Sequence, residues 1–319
     1  MSRARGTAYA RAALLGNPSD GYGGRTISFA FTNLSAEVEV EEAGRSEVHP
    51  AGGRSLLQAT LARFRRHAKA AGPAAATSEL SFHWRTSIPR EVGLGGSSAI
   101  VIAALRALCS LYGVSITRED LPAMALSVET EGLGIEAGLQ DRVAQTYEGL
   151  TYMDFEPEAA AARGYGAYEQ LDPRLLPPLI VAYAPGASEA SSRPHGDLRG
   201  RYERGDPDVV EAMDEIAGLA RLGRECLLSG DHDGLRSALD RNFDTRRRLY
   251  PLDPRHTRMI EAARSAGQLP HDIGRPRSAQ QLHAGAHRAT PGRRRSLAPA
   301  NLEGHRRRLP EGEWNLRLP

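Results

Sequence analysis

The sequence predicts a mixed fold of the α+β class, and three observations carry that prediction. Alternating apolar residues mark several strands before residue 90, a glycine-serine loop opens an apolar helix just after it, and helical periodicity dominates the second half around one apolar strand. In chain order, "RTISFAF" and "AEVEVEE" read as strands, the second alternating at Val38 and Val40. "RSLLQATLARFRRHAKA" sets Leu57, Leu61, Phe64 and Ala68 on one helical face, and "ELSFHWRTSIP" returns to strand alternation at Leu80, Phe82 and Trp84. The helix after the loop buries Ile100, Ala103, Ala104, Ala107 and Leu111 and stops at Gly113. Further on, "PPLIVAYAPG" offers a buried strand over 179–183. Helical patterns follow in "DVVEAMDEIAGLARLGRECLLSG", "DHDGLRSALDRNFDTRRRLYP" and "RHTRMIEAARSAG".

At 319 residues with 40% hydrophobic content the chain can bury one large core or two smaller ones. No apolar run approaches the roughly 20 residues that cross a membrane, and the N-terminus lacks a signal-peptide core, so a cytoplasmic protein without a membrane partner is expected. A net charge of +2 gives no reason to expect a nucleic-acid partner. Cys109 and Cys226 lie in apolar helical contexts without metal-ligand spacing and read as buried free thiols.

Three stretches carry chemistry. In "IPREVGLGGSSAIVIAAL" the glycines let backbone N–H groups converge on one point, and the helix dipole adds positive potential there, which suits a phosphate. A turn followed by a helix capped by Ser97 or Ser98 is the plainer alternative. Lys69 is the only lysine in the chain, which excludes both the P-loop and the protein-kinase lysine. The dinucleotide pattern also fails, because Ser98 and Ala99 stand where its last glycine belongs. Any phosphate bound here meets backbone amides and serines. The second stretch, "RAALLGNPSDGYGGR", crowds Asn17, Ser19, Asp20 and Tyr22 among glycines, as either a ligand-facing turn or a polar hairpin loop. The third, "SVETEGLGIEAGLQDRVAQTYEGLTYMDF", carries Glu129, Glu131, Glu136 and Asp141, as either a reactive loop or a solvated acidic one with Asp141 capping a helix.

Together, the order and wording of these stretches resemble the GHMP kinase superfamily, which includes galactokinase, homoserine kinase, mevalonate kinase and phosphomevalonate kinase. "PREVGLGGSSA" is similar to its central motif, "RAALLGNPSDGYGG" matches the galactokinase-type first motif at Arg11, Leu14, Gly16, Asp20, Gly23 and Gly24, and "GLQDR" falls at its Gly-x-x-Asp catalytic loop. "LLGNPSD", "GRTISF", "AGLQDRVAQ" and "YMDF" resemble the glucuronokinase branch. The resemblance implies a two-domain α+β fold, with an N-terminal domain like ribosomal protein S5 domain 2 and a ferredoxin-like C-terminal domain. It implies ATP-dependent phosphorylation of a sugar hydroxyl, the anomeric position of a sugar acid such as glucuronate. The alternatives are a heptose-phosphate or galactose kinase and an impaired ligand-binding homologue. By the same resemblance Gly93, Leu94, Gly95, Gly96, Ser97 and Ser98 wrap the ATP phosphates, and Ser98 with Glu129 holds Mg²⁺, Glu131 being the fallback ligand. Asp141 becomes the base and Arg11 its partner, Asp20 and Asn17 grip sugar hydroxyls, and Arg25 or Arg142 meets the substrate carboxylate.

Domain boundaries are expected at 1–168, 169–267 and 268–319. In the second segment His195 and Arg199 read as part of a polar loop, either solvated or able to close over substrate, and the run from Arg246 to Arg248 as a solvated helix face rather than a ligand site. From Gln268 onward the resemblance ends. The tail has no Val, Phe, Tyr or Cys and Ile273 is its only β-branched aliphatic apart from threonine, so it is expected to bury no strand and to leave the second domain incomplete. Translation out of frame after Gly267 explains this composition. A polyanion-binding tail is the alternative.

Overall fold

The computed structural model describes residues 2–69, 77–135, 137–157, 165–184, 192–265, 276–278 and 314–315. Its first half is a six-stranded sheet with helices packed on it. Strands β1 (Arg3–Leu15) and β2 (Arg25–Glu42) pair antiparallel along most of their length, from Arg3 opposite Glu41 to Leu15 opposite Ile27. At 18 residues, β2 is long enough to take two further partners in succession: β4 (Leu80–Thr86) along its C-terminal half and β5 (Leu150–Asp154) along its N-terminal half. Strands β3 (Glu47–His49) and β6 (Ala167–Leu171) extend the sheet at its two ends, β3 parallel to β4 and β6 antiparallel to β5.

The two strands expected over 25–31 and 36–42 are thus one continuous β2, in which residues 32–34 drop out of the ladder where the register to β1 shifts between Tyr9 and Ala10. Strand β1 itself is alanine-rich and was not foreseen as a strand. Its small residues answer to packing, since helix α2 (Gly96–Tyr112) lies directly on it. Ala8, Ala10 and Ala12 are fully buried, and a Cβ on Gly6 would stand 2.0 Å from the Ala103 carbonyl oxygen. Helix α1 (Arg54–Ala68) buries the foreseen Leu57, Leu61, Phe64 and Ala68, and α2 ends at left-handed Gly113 as expected. Helices α3 (Asp120–Leu133) and α4 (Leu139–Tyr147) complete this half.

The second half contains β7 (Leu179–Val181) and helices α5 (Ser192–Glu203), α6 (Pro207–Ser229), α7 (His232–Leu249) and α8 (Pro254–Ser265). Asp206 and Asp231 cap α6 and α7 through their carboxylates. The main core continues from the sheet into Leu219, Leu227, Leu235 and Leu239 of these helices, and Gly223 lets α6 approach so closely that a Cβ there would meet Leu15 Cδ1 at 2.1 Å.

One expectation is corrected here. The segment around His195 and Arg199 is helix α5, because Leu198 is buried and Tyr202 packs on Tyr22, so tertiary contact outweighs a sequence rich in Gly and Pro. Within the tail, β8 (Pro276–Ser278) and β9 (Trp314–Asn315) pair antiparallel on either side of β7 through backbone hydrogen bonds, which need no apolar side chains. The rest of the tail lies outside the described residues. No described helix is long and apolar enough to cross a membrane. Cys109 and Cys226 are free; Cys226 is buried as expected, whereas Cys109 is only half-buried, and that burial pushes its thiol up to about 11.

Candidate active site

The loop between β4 and α2 turns twice through left-handed glycines, Gly93 at φ 73° and Gly95 at φ 72°. Leu94 between them is buried, and its carbonyl accepts the Arg11 N–H at 3.2 Å. The Gly95 carbonyl accepts from Gln145 Nε2 at 2.8 Å, and the same amide donates to the Tyr9 carbonyl at 3.0 Å. Gly95 also has no room for a side chain, since a Cβ would sit 2.7 Å from Gln145 Nε2 and 3.2 Å from Arg11 Cγ. The loop is therefore clamped between β1 and α4, and the first helical hydrogen bond of α2 runs from Ala99 N to Gly95 O. The amides of Gly96, Ser97 and Ser98 precede it and form the positive end of a 17-residue helix. The cap is Gly95 itself, with no side-chain hydrogen bond, rather than Ser97 or Ser98.

The hydroxyls of these serines point differently. Ser98 is buried and its Oγ donates back to the Gly95 carbonyl at 3.1 Å, whereas Ser97 Oγ donates to Glu129 Oε1 at 2.7 Å. The serine that faces the carboxylate is thus Ser97, not the expected Ser98. Glu129, on α3, is 2% exposed, and its other oxygen accepts from Arg142 Nη2. Arg142 Nη1 donates to the Gly138 carbonyl at 2.8 Å and lies 3.9 Å from Asp141 Oδ2. Asp141 Oδ1 in turn is 2.5 Å from Arg11 Nη2. Loop, Ser97, Glu129, Arg142, Asp141 and Arg11 close into one ring of alternating charge around the helix N-terminus.

Asp20 stands at the edge of this ring, its Oδ2 only 2.8 Å from where a Gly138 Cβ would lie. Desolvation, together with the nearby Asp141 charge, pushes its carboxyl up to about 7, against the opposing pull of Arg11. Between the ordinary value of 3.8 and about 7 the folded state holds a proton that the unfolded chain has lost, so this group's contribution to stability falls as pH rises through that window. Asp20→Asn is expected to gain thermal stability relative to wild type as pH rises from 4.5 to 8. Melting curves of the two proteins that run parallel over that range would refute it.

The remaining expected residues separate into two groups. Asn17 donates from Nδ2 to Gln140 Oε1 at 2.9 Å, and Gln140 donates to Ser28 Oγ at 2.8 Å, which fixes the turn against α4. Arg25 and Arg142 are both paired with carboxylates of the chain. Arg25 Nε is 2.6 Å from Asp154 Oδ2 with Glu156 also in reach, and Arg142 is buried on Glu129. Glu131 faces Arg66 at 4.0 Å and is largely exposed, so it is no alternative to Glu129. Glu136 lies outside the described residues. In the arginine run, Arg246 is buried against Tyr250 rather than solvated, while Arg247 and Arg248 pair with Glu261 and Glu215. Sequence reading missed Gln140, Gln145 and Asn242. The last accepts the Gly16 N–H at 2.8 Å. Gln145, four residues after Asp141 on the same helical face, carried a signal in its spacing, and Asn242 carried none.

A glycine loop at a helix N-terminus beside an Arg-held aspartate is the arrangement of a small-molecule kinase, because phosphoryl transfer is largely positioning and electrostatics. Comparison with known proteins agrees. The family model described as GHMP kinases N terminal domain matches residues 55–149. The chain is 40% identical to probable glucuronokinase 2 of Arabidopsis thaliana, over 81% of this chain and 78% of the relative. It is 39% identical to glucuronokinase 1 of the same plant, over 81% and 79%. The galactokinase structure of Lactococcus lactis shares the fold with a TM-score of 0.71 at 13% identity, over 89% of this chain and 87% of that one. The chain belongs to the GHMP kinase family. Within it, this protein is a sugar kinase that uses ATP.

Proposed function

We infer that the chain phosphorylates the anomeric hydroxyl of a sugar acid, D-glucuronate or a close analogue. The observation that carries this reading is the Arg11–Asp141 pair at the edge of the clamped loop, and likeness to the plant glucuronokinases supports the substrate. In this mechanism the amides of Gly96, Ser97 and Ser98 receive the donor phosphates. Asp141 accepts the proton of the sugar hydroxyl as its oxygen bonds to the γ-phosphorus. The bond from that phosphorus to the bridging oxygen breaks, and ADP leaves with the electron pair. Arg11 holds the Asp141 carboxylate in place, and Asp20 with Asn17 grips ring hydroxyls.

Mg²⁺ fits the residues present. Among the described residues no cluster of three or more His, Cys, Asp or Glu could hold a metal, so protein carboxylates alone make no cage. One carboxylate and a serine hydroxyl beside a phosphate loop suit a cation that draws its other ligands from phosphates and water. Glu129 and Ser97 would hold it, Glu129 through the oxygen that now accepts from Ser97 while its other oxygen stays with Arg142, and when bound the cation would neutralise charge on the transferring phosphates.

A panel of D-glucuronate, D-galactose and a heptose phosphate, incubated with Mg²⁺ and ATP and followed by phosphorus NMR, tests the reading. Formation of the 1-phosphate of glucuronate in preference to the others is the expected result, and turnover of another sugar instead would replace it. For the metal, Ser97→Ala is expected to reduce the Mg²⁺-dependent part of the thermal shift given by ATP more than Ser98→Ala does. The reverse order would return the ligand role to Ser98.

A further inference from the structure

A sugar acid differs from its neutral parent by one carboxylate, at the far side of the ring from the anomeric carbon. Recognition of that group calls for a cation, and three of the arginines near the turn and α4 are already paired within the chain. Arg11 serves Asp141, Arg142 serves Glu129, and Arg25 serves Asp154 and Glu156. Arg199 is different. It reaches from α5 to the sugar turn, where its Nη2 donates to the Gly21 carbonyl at 3.1 Å, one residue beyond Asp20. Its guanidinium lies over the Tyr22 ring, 5.6 Å from the centroid. The ring in turn packs against Tyr202 at 4.7 Å, and Tyr202 Oη donates to the Tyr22 carbonyl at 3.3 Å. Leu198, Val209 and Met213 bury the root of this arrangement, so the guanidinium is carried by a packed element. The side chain is 54% exposed, and its ion pair with Glu203 is long, at 3.8 Å, with both partners largely in solvent. Such a pair is cheap to exchange for a substrate carboxylate.

We propose that Arg199 reads the carboxylate of the sugar acid and so sets the enzyme's preference for uronates over neutral sugars. The turn then holds the substrate from both sides. Asp20 meets hydroxyls beside Asp141, and the planar guanidinium, steadied on Tyr22, presents its remaining N–H groups to the carboxylate in the fork geometry that arginine alone supplies. This assignment rests on the sugar-acid reading above.

The test compares D-glucuronate with D-glucuronamide, its neutral isostere, in the full-length wild type, Arg199→Ala and Arg199→Lys. Loss of a charge-assisted hydrogen bond predicts a fall of about 10- to 100-fold in kcat/KM for glucuronate with Arg199→Ala, carried mainly by KM. The preference for the acid over the amide should collapse towards parity, and Arg199→Lys should restore part of it. Melting temperatures of the three proteins show whether α5 stays docked. Wild-type protein that does not phosphorylate glucuronate would overturn the sugar-acid reading and this assignment with it. Wild type that does, beside an Arg199→Ala whose preference lies within twofold of it, would overturn the assignment alone.

Discussion

Asp141→Asn is expected to lower sugar phosphorylation by about 10²- to 10⁴-fold while leaving ATP binding in place. The amide keeps the size of the side chain but cannot accept the hydroxyl proton, and Arg11 loses the charge it holds at 2.5 Å. The phosphate loop does not depend on that carboxylate. It is fixed by Gln145 Nε2 on the Gly95 carbonyl and by the Arg11 N–H on the Leu94 carbonyl, both main-chain acceptors. The effect therefore belongs in kcat, with the thermal shift produced by ATP retained. Turnover within a few-fold of wild type would remove Asp141 from the role of base.

Arg142→Ala is expected to be the most destabilising single change at the site. The Arg142 and Glu129 side chains are 5% and 2% exposed, so removing the cation leaves a carboxylate in the interior with only the Ser97 hydroxyl to answer it. Breaking a buried pair in this way costs about 3–5 kcal/mol. For a chain of this size that is a fall in melting temperature on the order of 10 °C. Adding Glu129→Gln to Arg142→Ala should recover a part of the loss by removing the orphaned charge. A single variant that melts within a degree or two of wild type would show that solvent reaches Glu129 and that the ion pair is dispensable.

How far the site was legible depended on whether a residue's role is local. Gly93 and Gly95 could be read because their left-handed backbone admits little else, and the spacing of Asp141 from Gly138 could be read because both belong to one turn. The ion-pair network could not. Glu129 and Arg142 lie on different helices, and only the folded chain shows that Arg142 spends its charge on a neighbour. Which serine faces Glu129 has the same origin, since two adjacent serines at a helix start differ by about 100° in direction and only the position of α3 selects between them. Strand β1 escaped notice because strand patterns are recognised by β-branched and aromatic residues. Here the closeness of α2 demanded Gly6, Ala8 and Ala10 instead. Helix α5 escaped because its stability comes from Leu198 and Tyr202 meeting a turn some 180 residues earlier in the chain.

That turn is supported from an unexpected quarter. Gly16 is held by Asn242 of α7, Tyr22 by Tyr202 of α5, and Leu15 by α6 at Gly223, whereas the donor loop is held by Arg11 and Gln145. The turn thus leans on α5 to α7 as well as on α4, to which Asn17 ties it, whereas the loop is held by β1 and α4. On the proposed mechanism, substitutions in α5 to α7 reach the acceptor turn without touching a contact of the loop proposed to receive the donor phosphates. Such a division gives a single phosphoryl-transfer platform access to new acceptors by repacking one set of helices, a form of evolvability built into where each loop is anchored.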